Sequence, residues 1–114
     1  MPSNQRITAK QMFGEFAPKL VSLTDDVLFD DVWARDDLSP RDRSLITVSA
    51  LIAAGNSEQL KFHLGLAIQN GLTEAELIET ITHLAFYAGW PRAMSAITIA
   101  RSLFGENSPD SPQK

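Results

Sequence analysis

In the second half of the chain, apolar residues return every three or four positions. Leu77, Ile78, Ile81, Leu84, Ala85 and Ala88 fall on one side of a helix drawn through residues 74–88. Ala93, Ala96, Ile97, Ala100, Leu103 and Phe104 do the same through residues 91–104. No stretch alternates apolar and polar residues convincingly with a period of two, so no strand is required. This periodicity restricts the chain to helices that bury their apolar stripes against one another.

Local signals divide that pattern into elements. Thr73-Glu74-Ala75-Glu76 is a capping box: the Thr hydroxyl can accept from the amide of Glu76 while the Glu76 carboxylate reaches back, with Leu72 and Leu77 as a staple. Ser39-Pro40-Arg41-Asp42 places a capping serine, a proline where no amide is needed and an acid near the positive end of a helix. Thr8 with Gln11, flanked by Ile7 and Met12, repeats the first arrangement. Gly55, Gly71 and Gly89 each follow an apolar-periodic run, as a helix-ending glycine does. The spacing predicts an all-α fold of six helices, near 9–16, 24–35, 40–54, 58–70, 74–88 and 91–104. Residues 40–54 are apolar nearly all round, which predicts the central, most buried helix. One helical domain is expected over residues 8–106, between polar tails at 1–7 and 107–114.

Composition excludes several functions. The net charge is −4 and Lys and Arg form no stripe, which argues against a nucleic-acid partner. The sequence has no cysteine, so disulfides, thiolate nucleophiles and Cys-ligated metals are all ruled out. No apolar signal segment follows Met1, and the longest apolar stretch, around Leu45 to Ala54, is too short to span a bilayer. A cytoplasmic protein with no membrane partner is expected. The acidic pairs Asp25-Asp26, Asp30-Asp31 and Asp36-Asp37 lack the glycine and terminal glutamate of a calcium loop, and are taken as surface and caps. A chain of 114 residues with this many apolar helical faces is also expected to self-associate as a homo-oligomer.

One ordered series of short motifs points further. The run Leu38-Ser39-Pro40-Arg41-Asp42-Arg43-Ser44-Leu45-Ile46-Thr47 is followed by Glu58 and by Phe62-His63-Leu64. Then come Asn70-Gly71-Leu72-Thr73-Glu74-Ala75-Glu76-Leu77 and His83-Leu84-Ala85-Phe86-Tyr87-Ala88-Gly89-Trp90-Pro91. In this order and spacing, from about Phe13 to Phe104, the chain resembles the carboxymuconolactone decarboxylase family of the alkylhydroperoxidase-D-like superfamily. The peroxidase branch of that superfamily uses a cysteine pair, a histidine and a relay glutamate. Here the matching positions hold Asn56, Gln59, His63 and Ser44, so only the histidine remains. Thiol peroxidase chemistry needs an attacking and a resolving thiol, and this chain has neither. The resemblance therefore implies the decarboxylase branch, which carries Arg-Ser-Leu and a Glu five positions before a His.

That branch implies a cofactor-free lyase acting on a small anionic lactone or carboxylate, with His63, Glu58 and Arg43 as catalytic candidates. Arg43 is the fork for a carboxylate or lactone oxygen, or else pairs with Asp36, Asp37 or Asp42. His63 is the proton donor, or else a core imidazole bonded to a carbonyl. Glu58 orients the imidazole, or merely complements the dipole of its helix. Arg43, Ser44, His83, Tyr87 and Trp90 are candidates for substrate contact. His83 also reads as one half of an exposed pair with Glu79. Tyr87, Trp90 and Trp33 read equally as packing. The alternative to an enzyme is a non-catalytic, oligomeric helical module that binds a small molecule or a partner protein.

Overall fold

The computed structural model describes residues 6–105, and every regular element among them is helical. α1 spans Ala9–Phe13, and α2 (Pro18–Ser22) runs directly into a π-helical segment, Leu23–Val32. α3 (Pro40–Ala54), α4 (Ser57–Gln69) and α5 (Glu74–Ala88) follow, and α6 (Trp90–Ala100) ends in a π-helical stretch, Arg101–Gly105. The fold is all-α with six helical stretches, as the sequence predicts. Apart from Arg6 and Ile7, the expected tails at 1–7 and 107–114 lie outside the described residues. Among the described residues, no helix is long and apolar enough to cross a membrane. The backbone groups into two compact units that divide between Pro40 and Arg41.

In the first unit, the Thr8–Gln11 capping box forms at the start of α1. Gly14, at φ 55°, ends α1 three residues before the predicted limit, and Pro18 starts α2 well ahead of Thr24. Asp25 holds this unit together. It accepts hydrogen bonds from the Ala9 and Lys10 amides at 2.9 and 3.0 Å and pairs with Arg6 at 3.2 Å. The Ala9 amide above all, with the Lys10 amide and Arg6, holds its carboxyl below the ordinary aspartate value. Asp25 is thus a structural joint rather than a solvated surface acid. The Arg6 guanidinium lies 3.9 Å over the Phe29 ring, and Phe29 stacks on a half-buried Trp33 at 6.0 Å.

In the second unit, α6 packs along α5 and α4. Its buried face is Ala93, Ala96 and Ala100, and such small side chains let neighbouring backbones approach closely. α5 contributes Leu77, Ile81 and Ala85, and α4 contributes Leu60, Leu64 and Ala67. The Thr73–Glu76 capping box forms, and both staple residues, Leu72 and Leu77, are buried. Glu76 also takes an ion pair from Arg41 at 2.5 Å. The Thr73 amide, followed by Arg41, lowers the Glu76 carboxyl from its ordinary value.

α3 departs from expectation. Only the row Ser44, Val48 and Ile52 is buried, and Ile46 is 55% exposed. Residues four apart share a helix face, and partner helices cover one face only, so the remaining apolar residues of α3 lie partly or fully open. With Leu77 sealed and Ile46 open, Leu77→Ala is expected to lower unfolding stability by about 2–5 kcal/mol, whereas Ile46→Ala costs less than about 1 kcal/mol. Chemical denaturation of the two variants checks this, and equal losses would contradict the facing of these helices.

Candidate active site

The position of the central histidine follows from how α4 is rotated. Leu60, Leu64 and Ala67 are buried to 2% exposure or less and define the inward stripe. At about 100° per residue, His63 lies roughly 65° from the middle of that stripe and is half-buried. Its ring stands edge-on to Phe62, with centroids 4.9 Å apart. Burial disfavours the imidazolium and lowers its pKa from 6.5.

Glu58 occupies the first turn of the same helix and is exposed. Five residues of α-helix turn it about 140° away from His63, and no hydrogen bond or ion pair joins the two side chains. Its position at the helix N-terminus matches the dipole role that the sequence offered as the alternative.

Arg43 and Ser44 enter from the first turn and a half of α3. Arg43 is half-buried, and its carbonyl accepts from the Thr47 hydroxyl at 2.8 Å. Ser44 is fully buried, and its hydroxyl accepts from the Asn70 amide group at 3.0 Å. That bond ties the start of α3 to the end of α4. In this conformation the Ser44 side chain has no accessible surface. Sequence reasoning missed Asn70 as its partner because the two residues lie far apart in the chain, and the Asn-Gly pair reads as a turn.

His83, Tyr87 and Trp90 are all exposed on or just beyond α5. The His83 ring lies against Tyr87, with centroids 4.9 Å apart, and no ion pair joins His83 to Glu79. Trp90 meets Phe86 edge-on at 5.4 Å. These contacts form two separate ring pairs, His83 with Tyr87 and Phe86 with Trp90. A cleft elsewhere in the second unit contains none of the seven candidates, and its one charged residue, Arg92, carried no sequence motif that would have singled it out.

Comparison with known proteins gives this geometry a family. Residues 18–102 match the model of the carboxymuconolactone decarboxylase family. The chain is 39% identical over 74 residues to 4-carboxymuconolactone decarboxylase of Acinetobacter baylyi, covering 65% of this chain and 55% of that protein. It is 33% identical over 75 residues to nitrosuccinic acid decarboxylase of Metarhizium robertsii, covering 66% of this chain and 52% of that protein. The chain spans about half the length of these curated relatives. With the family model matching most of its length, the chain belongs to the carboxymuconolactone decarboxylase family.

Proposed function

We propose that this protein is a cofactor-free decarboxylase acting on a small anionic lactone or related carboxylate, in a cytoplasmic setting. The observation that carries the proposal is a partly desolvated imidazole, His63, on a helix within the family match. The names of the two decarboxylase relatives support the reaction class.

The chemistry can be balanced with this chain's own residues. The bond between the substrate's carbon skeleton and its carboxylate breaks and releases carbon dioxide. The electron pair left on carbon delocalises into the conjugated lactone. The His63 imidazolium then delivers a proton to that carbon and is reprotonated from water. Arg43 forks a second carboxylate or the lactone oxygen, where negative charge develops. Ser44 acts here only by fixing α3 to α4 through Asn70. Tyr87, Trp90 and His83 contribute by bordering a substrate or a neighbouring subunit. Glu58 keeps a role in the field at the α4 N-terminus, without a direct bond to the imidazole.

Removing the proton donor tests the first part. His63→Ala is expected to reduce the rate of decarboxylation, followed by ultraviolet loss of the lactone, by about 100-fold or more. Full activity in this variant would remove His63 from the mechanism. The pH dependence carries an independent sign. Because burial lowers the imidazole pKa, the protonated donor accumulates only below 6.5. The rate limited by proton delivery therefore rises as pH falls through that lowered pKa, and a profile that rises toward alkaline pH would contradict this assignment.

A second reading, a non-catalytic helical binding module, is favoured by one observation: the cleft of the second unit includes neither Arg43 nor His63. It predicts no turnover at any pH. Both readings include self-association. Phe86, Trp90 and Met94, at four-residue spacing, are 75%, 56% and 54% exposed, a concentration of apolar surface suited to a second copy. Sedimentation equilibrium is expected to give a trimer or hexamer that Phe86→Glu weakens. A monomer across the micromolar range would contradict it.

A further inference from the structure

The cleft of about 140 Å³ lies in the second unit, where the end of α3, the first turn of α4 and the first turns of α6 come together. Leu51 and Pro91 give it accessible apolar surface, backed by Ile52, Leu60 and Ala96, which are sealed in the core. Ser57, Arg92 and Ser95 bring a guanidinium and two hydroxyls to the same space.

The guanidinium is positioned by the chain itself. Arg92 Nη1 donates to the carbonyl oxygen of Ala53, in the last turn of α3. The next turn is made by Gly55 at φ 75°, and a Cβ there would stand 3.3 Å from Nη1. Gly55 thus serves two needs at once: the left-handed backbone that ends α3, and the space across which Arg92 lies. A single carbonyl uses one of the five guanidinium donors. Among the described residues, Arg92 makes no ion pair. The Ser57 and Ser95 hydroxyls likewise make no hydrogen bond among the described residues. The positive end of the α4 dipole adds to the potential at Ser57.

We propose that this cleft binds a short-chain aliphatic carboxylate, its oxygens held by Arg92, Ser57 and Ser95 and its hydrocarbon tail against the apolar lining of Leu51 and Pro91. One fixed cation suits a monoanion, and planar guanidinium–carboxylate pairing supplies the geometry. The apolar surface of Leu51 and Pro91 favours a carbon tail over a phosphate, which would leave that surface in water. The inference is independent of His63, and the site differs from the one assigned to decarboxylation.

Amide-resolved NMR titration of the full chain with sodium propionate tests the site. Saturable shifts are expected at Ser57, Leu60, Ser95 and Ala96, and inorganic phosphate at matched ionic strength should not reproduce them. Arg92→Gln is expected to weaken binding by about tenfold or more. Ser95→Glu leaves the Arg92–Ala53 hydrogen bond in place, sets a carboxylate in the cleft and should cost as much. His63→Ala should leave this titration unchanged, which separates failure here from failure of the decarboxylase assignment. The proposal is overturned by an absence of saturable shifts, by shifts centred on α4 around His63, by an equal response to phosphate, or by unchanged affinity in both cleft variants.

Discussion

The burial of Leu60, Leu64 and Ala67 fixes the rotation of α4, and the placement of His63, Phe62 and Glu58 depends on that rotation. A helix cannot turn one residue inward without turning its neighbours by a set angle. Once Leu64 is sealed, His63 must stand at the edge of the core, Phe62 must face outward and Glu58 must point nearly the opposite way. Partial desolvation of the imidazole is thus a consequence of packing. The Ser44–Asn70 hydrogen bond adds a polar joint between the ends of α3 and α4, in a place where a buried hydroxyl without a partner would be costly.

The same logic explains which parts of the fold could be read from residues. The helices after Gly55 follow their capping and periodicity because their local signals and tertiary packing agree. Thr73 and Glu76 cap α5 as the box implies, and Ala93, Ala96, Ala100 and Phe104 face inward as their spacing requires. The first unit was less legible. Its boundaries depend on Gly14 and Pro18, whose effects are local, and on Asp25, whose carboxylate reaches across the chain to the amides of α1. α3 was misjudged for a different reason. Hydrophobicity around a whole helix says that its faces seek cover, but not that the same chain supplies it.

The candidate site was legible only in part. Motif order pointed to His63 and Arg43, and the structure gives both partly buried positions on α4 and α3. Ser44 is selected by the same motif, and in the structure its hydroxyl is buried and bonded to Asn70. Arg92 escaped notice because its significance lies in the Ala53 carbonyl and the bare backbone of Gly55, neither of which a spacing rule detects. Residue type and order identify a family well. They distinguish less well between side chains that meet a ligand and side chains that hold the frame around it.

The family relation and the absence of cysteine together direct attention to acid–base chemistry rather than thiol exchange. The central physical claim is that packing of α4 desolvates its imidazole. Direct titration of the His63 ring by heteronuclear NMR, assigned by its loss in a His63→Gln variant, measures this most plainly. The expected midpoint lies below 6.5. A midpoint at or above that value would contradict it, because the imidazolium would then be at least as well solvated as in the unfolded chain.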